Sequence, residues 1–103
     1  MNPGGLQINN KNMEYVAAVA QYDSITAAAE SLYISQPALS RFISNLEKRI
    51  GVTLFQRVGN RFLLTYEGER FLYHAKRIME IEQELQNELS DINKQKQGRL
   101  RLA

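Results

Sequence analysis

The chain has no cysteine and no tryptophan, and it has a single histidine, His74. Without cysteine there is no disulfide, no thiolate nucleophile and no thiolate-ligated zinc, and one histidine leaves few ways to build a metal site or a nucleophile–base pair. No convergent set of acid, base and nucleophile can be assembled from what remains, so an enzyme is a remote reading. Long apolar runs are also missing. None approaches the roughly 18 to 20 residues that cross a bilayer, and Met1–Asn10 has no signal-peptide organisation. A cytoplasmic protein without membrane contact is expected.

What is present fits one folded unit with an extension. The 103 residues are too few for two ordinary domains. An apolar share of 44% with 23% charged residues is normal for a globular chain and argues against general disorder. The net charge of +2 conceals a segregation. From Tyr33 to Arg77 there are eight basic residues against three acidic ones, and from Ile78 to Asp91 there are five acidic residues and no basic one. The first stretch suits a polyanion and the second would be repelled by it.

Met1–Ile8, with Pro3-Gly4-Gly5, lacks periodicity and reads as a flexible terminus. Asn9 or Asn10 can cap a helix in which Met13, Val16, Ala17 and Ala20 share a face, fading near Tyr22. Ser24 caps a short second helix with Ile25, Ala28, Ala29 and Leu32 on one side. After a brief turn Ser35 caps a third, and Pro37 sits in its first turn, where a missing N–H does no harm. Ile34 and Leu39 have the spacing of a hydrophobic staple. Leu39, Phe42, Ile43, Leu46 and Ile50 form the apolar face, Gly51 supplies the stop, and Pro37, Ser40, Arg41, Ser44 and Lys48 lie opposite.

Beyond Gly51 the pattern becomes strand-like in Thr53-Leu54-Phe55 and Arg61-Phe62-Leu63-Leu64, with Gly59-Asn60 as the turn of a hairpin or wing. Thr65 then caps a long helix over residues 66–97, with Gly68 its weak position. Within it Phe71, Ala75, Ile78, Glu82, Leu85, Leu89 and Ile92 recur at alternating steps of four and three, the period of a helix seam. No other helix in the chain is long enough to cover that seam, so a homodimer is expected. Glu82, its one polar member, either faces solvent at a helix crossing or sets register. His74 reads as a surface or interface histidine. Gly98 is expected to end the helix, and residues 98–103 to begin a strand of a further domain.

The fold expected is therefore mainly α: a winged helix-turn-helix over residues 9–65, three helices and a small β-hairpin, followed by a long dimerisation helix. In such a motif the second helix presents its first residues to base edges in the major groove. Arg41 suits guanine O6 and N7, Gln36 suits adenine N6 and N7, Pro37 and Ala38 can touch a thymine methyl, and Ser40 can donate or accept. Ser35, Ser44 and Lys48 suit phosphate oxygens, and Arg57 and Arg61 on the wing can reach a minor groove or phosphates. The bland readings are kept beside these: Leu39, Ile43 and Leu46 are core, and exposed arginines and lysines are often only solvated. The alternative function is a winged helix that meets an acidic protein partner through the same surface.

The frame Ala28-Ala29, Leu32, Ser35-Gln36-Pro37-Ala38-Leu39-Ser40-Arg41, Ile43, Leu46-Glu47, Gly51, Leu54-Phe55, Arg57, Leu64-Thr65 and Gly68 strongly resembles the amino-terminal domain of LysR-type bacterial transcriptional regulators, over roughly Asn9 to Ala103. The resemblance implies sequence-specific binding of double-stranded promoter DNA, base contacts at Gln36, Pro37, Ser40 and Arg41, and a wing arginine at Arg61. It also implies a linker helix dimerising antiparallel, tetramers at full length, and no cofactor in this part. A small-molecule effector would bind a carboxy-terminal domain beginning near Arg99. Phe42 departs from the family's frequent polar residue there, and packing is expected of it.

Overall fold

The computed structural model describes residues 8–102, so the flexible stretch expected at the start lies, Ile8 apart, outside the described residues. Helix α1 is Asn10–Tyr22, opened by Asn9, whose side chain accepts the Asn12 N–H at 2.9 Å. It ends at Asp23, in a left-handed conformation that a short polar residue tolerates. The Asp23 carbonyl then accepts the Phe62 N–H at 3.0 Å, which ties the end of α1 to the hairpin. The buried face of α1 is Asn12, Met13, Val16 and Val19, while Ala17 and Ala20 are only half-buried. That face is rotated from the expected one because Asn12, polar by type, is inside. With its amide oxygen turned inward, Asn12 accepts from Arg49 Nη2 at 3.1 Å and from the Asn9 N–H at 3.3 Å.

Helix α2, Ile25–Ser31, is capped by Ser24 Oγ on the Ala27 N–H at 3.1 Å. Its buried Ala28 and Ala29 let the neighbouring helices approach closely. It closes with Ile34 N–H on Ala29 O and Tyr33 N–H on Glu30 O, the paired bonds of a Schellman stop. Tyr33 occupies the left-handed position usually given to glycine, at φ 58, and is 96% exposed. Helix α3, Gln36–Ile50, follows at once. Ser35 Oγ accepts the Ala38 N–H at 3.2 Å, and Gly51, φ 80, terminates the helix with its N–H on Glu47 O. Leu39, Ile43 and Leu46 are buried. Phe42 is half-buried against Tyr15, ring centroids 4.6 Å apart, which is the packing expected of it.

The hairpin pairs β1, Phe55–Val58, antiparallel with β2, Arg61–Leu64, in the register Phe55↔Leu64 to Val58↔Arg61. Gly59 takes the left-handed turn position at φ 61. The first strand begins two residues later than the expected Thr53. The Leu54 and Phe55 N–H groups are held by Glu47 Oε2, at 2.7 and 3.2 Å, rather than by a strand partner. Leu54, Phe55 and Phe62 close the core formed by α1, α2 and α3.

Helix α4, Tyr66–Leu102, is entered through Thr65, whose N–H bonds Leu54 O at 2.9 Å and whose hydroxyl donates to Thr53 O and accepts the Gly68 N–H. This threonine caps the helix, as expected. Gly68 lies so close to the hairpin entrance that a Cβ there would collide with the Leu54 carbonyl oxygen. The helix does not stop at Gly98, contrary to expectation, and no strand begins at Arg99. A glycine weakens a helix by about 1 kcal/mol relative to alanine but ends it only where the backbone turns left-handed. Gly98 is not among the residues of positive φ. At 37 residues, α4 reaches about 55 Å, and most of that length projects from the winged body.

Candidate nucleic-acid interface

The edge built by the start of α3 is created by the burial of the opposite face. Leu39, Ile43 and Leu46 anchor the helix on the core, so Gln36, Pro37, Ala38 and Arg41 are exposed at its first turns and Ser40 is half-buried beside them. Ser35 is occupied as the cap acceptor, and its hydroxyl hydrogen remains available as a donor. The first turn carries no acidic residue. A helix start of this kind offers unpaired N–H groups and a positive dipole end to an anion.

The hairpin stands alongside. Arg57 Nη2 donates to Ser44 Oγ at 3.1 Å, and the guanidinium lies 4.9 Å from the centre of the Phe62 ring. These two expected phosphate contacts are thus brought together, spanning α3 and the wing. Between them and the end of α3 runs an open groove of about 600 Å³, whose lining includes Lys48. Arg61 is placed differently. Its Nη2 leans back to Asp23 Oδ2 at 3.5 Å, with both side chains largely exposed. A pair so open to water is worth at most about 1 kcal/mol, so a phosphate can displace the carboxylate.

The carboxylates of this stretch are engaged away from the first turns of α3. Of the three in the Tyr33–Arg77 stretch, Glu47 is turned onto backbone N–H groups at the hairpin entrance. Glu67 and Glu69 lie in the first turn of α4, where they complement the helix dipole. Glu47 is the residue that sequence reasoning missed. Its partners are seven and eight positions away across a helix stop, and no local pattern announces such a bond.

The expected seam divides in two. Phe71 packs against the core and Ala75 is buried within the chain, whereas Ile78, Leu85, Leu89 and Ile92 are exposed and Glu82 is half-buried. Ile81, absent from the four-and-three spacing, is exposed beside them. His74 is a surface residue, edge-on to Tyr73 and 3.3 Å from Arg70 Nη2. Among the described residues no helix is long and apolar enough to cross a membrane.

Three helices, a tight turn before the third and a hairpin beside it define a winged helix-turn-helix, the architecture of a DNA-binding domain. The family model described as bacterial regulatory helix-turn-helix protein, lysR family, matches residues 10–69, and the chain belongs to that family. It is 41% identical over 85 residues to a probable RuBisCO transcriptional regulator of Thalassiosira pseudonana, covering 82% of this chain and 28% of that protein. It is 39% identical over 90 residues to the HTH-type transcriptional activator CmpR of Synechocystis, covering 87% and 30%. Among solved structures, the BenM DBD in complex with benA site 1 DNA superposes with a TM-score of 0.78 at 32% identity, covering 82% of this chain and 96% of that one. The chain thus corresponds to the DNA-binding domain of a LysR-type transcriptional regulator and spans under a third of the length of those curated relatives.

Proposed function

We propose that this chain binds double-stranded promoter DNA sequence-specifically as a homodimer, each copy placing the start of α3 in a major groove. The observation that carries the reading is the exposed first-turn edge of Gln36, Pro37, Ala38 and Arg41 on a helix whose other face is fully committed to the core. Gln36, Pro37, Ser40 and Arg41 read base edges. Ser35, Ser44, Lys48 and Arg57 hold phosphates, and Arg61 exchanges Asp23 for the backbone or the minor groove.

The exposed half of the α4 seam pairs the two copies. A full-length protein would append an effector-binding domain after α4, and effector recognition and tetramer formation belong to that part. The chain itself has no catalytic role in this scheme.

Binding to the upstream region of its own gene, followed by fluorescence anisotropy across a salt series, tests the reading. Affinity falls linearly in log–log form as phosphate contacts release counterions. Arg41→Ala weakens binding by about 1–3 kcal/mol and relaxes preference at one base position. Unchanged affinity and unchanged base preference in that variant would show that α3 is not the reading element.

A further inference from the structure

Among the described residues Asn12 is the one buried polar side chain, 2% exposed on the inner face of α1. An amide in that place lowers stability unless its hydrogen bonds are made. Asn12 makes one of them across to α3, accepting from Arg49 Nη2 at 3.1 Å. Arg49 lies in the last turn of α3 and is exposed. A guanidinium has several N–H donors, so the bond to Asn12 leaves the others free to meet an anion. One position before Asn12, the exposed Lys11 holds its Nζ 5.5 Å from the ring centres of both Tyr15 and Phe42. Two cations on the α1 side of α3 are thus held by groups of the chain itself. Neither is neutralised by a carboxylate, since the one ion pair among the described residues joins Arg61 to Asp23.

The direction these cations face follows from helix geometry. At about 100° per residue, Phe42 and Arg49 stand within about 20° of one another around α3. Ser44, which accepts from Arg57 of the wing, stands about 160° from Phe42, with Arg41 between them. The reading edge is therefore flanked on both sides, by Ser44 and Arg57 toward the wing and by Lys11 and Arg49 toward α1. A helix about 10–12 Å across, entering a major groove about 12 Å wide, turns its two flanks to the two sugar–phosphate walls.

We propose that Lys11 and Arg49 hold phosphates of the wall opposite to that held by Ser44 and Arg57, and that Asn12 is the positioning residue that keeps Arg49 there. This rests on the DNA-binding reading and adds the backbone of the second strand to it. The arrangement gives the buried amide a purpose. A long side chain immobilised only on binding loses rotamer freedom at that moment, and one already pinned by the fold loses less. The two rings restrain Lys11 in the same way. Phosphate contacts set register without carrying sequence. A clamp on both walls therefore fixes where Gln36 and Arg41 fall along the duplex and leaves the choice of base to them.

Fluorescence anisotropy across a salt series, on the upstream region of its own gene and on an unrelated duplex of equal length, tests the clamp. Lys11→Gln and Arg49→Gln each remove one charge, and the glutamine in Arg49→Gln still offers an N–H to Asn12. Each is expected to weaken binding to both duplexes alike, on the order of fivefold at about 0.15 M salt, and to lower the log–log salt slope by about one. The thermal unfolding midpoint should be preserved, and Arg49→Lys should keep the native slope. Asn12→Ala, or Asn12→Leu should the alanine variant not fold, is expected to weaken binding severalfold in the native chain and to add nothing in Arg49→Gln. Replacing single phosphates by neutral methylphosphonates locates the contacts. The positions made silent by Lys11→Gln or Arg49→Gln should lie on the strand across the groove from those made silent by Arg57→Ala.

An unchanged salt slope in both glutamine variants overturns the clamp, whatever their affinity. Silent positions on one and the same strand for all three variants overturn its two-walled arrangement. A loss in the Asn12 variant that persists undiminished in Arg49→Gln removes the positioning role. A native chain whose binding ignores salt on both duplexes removes the DNA-binding reading itself.

Discussion

Leu39 and Leu85 are the same side chain on the apolar stripes of two amphipathic helices, and they have opposite fates. Leu39 is fully buried beneath α3, between the helices of the winged body, while Leu85 on α4 is 52% exposed. The body brings its stripes together: α1, α2, α3 and the hairpin cover one another around Val16, Ala28, Ile43, Leu46 and Leu54. Among the described residues nothing covers the distal arm of α4. An amphipathic pattern therefore states that a face will be covered, and only the count and length of the other elements says by what. In the function proposed above, the difference separates reading, assigned to one body, from pairing, assigned to a second arm.

Substitutions can break that contrast in graded steps. Leu39→Ala removes a fully buried side chain and should lower unfolding stability by about 3–5 kcal/mol, independent of protein concentration, in urea titration. Gly68→Ala drives a methyl into the Leu54 carbonyl at the joint between hairpin and α4. A loss of about 2–3 kcal/mol is expected, with the hairpin amides losing hydrogen-exchange protection before those of α3. Glu47→Gln replaces a charged acceptor of two backbone N–H bonds by a neutral one and should lower stability by about 1–2 kcal/mol. Leu85→Ala is the smallest for the body. At high dilution the unfolding midpoint should stay within about 0.5 kcal/mol of the native chain, and the deficit should appear only as protein concentration rises and the native chain dimerises. Concentration-independent destabilisation by Leu85→Ala would erase the distinction between body and arm.

The features legible in the sequence are those whose chemistry closes locally. Asn9, Ser24, Ser35 and Thr65 cap the four helices because each side chain needs only an N–H three residues ahead. Gly51 and Gly59 mark turns for the same reason. What escaped depends on distant partners. Asn12 is inside because its amide is satisfied, and a hydrophobicity pattern rejects it. The start of β1 is set by Glu47, from across a helix stop. Gly98 suggests a stop by residue type, but nothing there forces the left-handed turn that makes one. At the interface, the edge of Gln36, Pro37 and Arg41 follows from helix periodicity, and the structure leaves it exposed. The pairs Arg57–Ser44 and Arg61–Asp23 do not follow from it. They join residues 13 and 38 positions apart, and only the folded wing brings them together.

Selection of bound sequences from a random DNA library tests the central claim, reading by the body and pairing by the arm, most directly. The native chain is predicted to enrich two symmetry-related half-sites whose centres lie on one face of the duplex, about 10 base pairs or a multiple apart. The same chain with Leu85, Leu89 and Ile92 each changed to aspartate should enrich a single half-site. Enrichment of one unpaired motif by the native chain, or of none, would contradict the account.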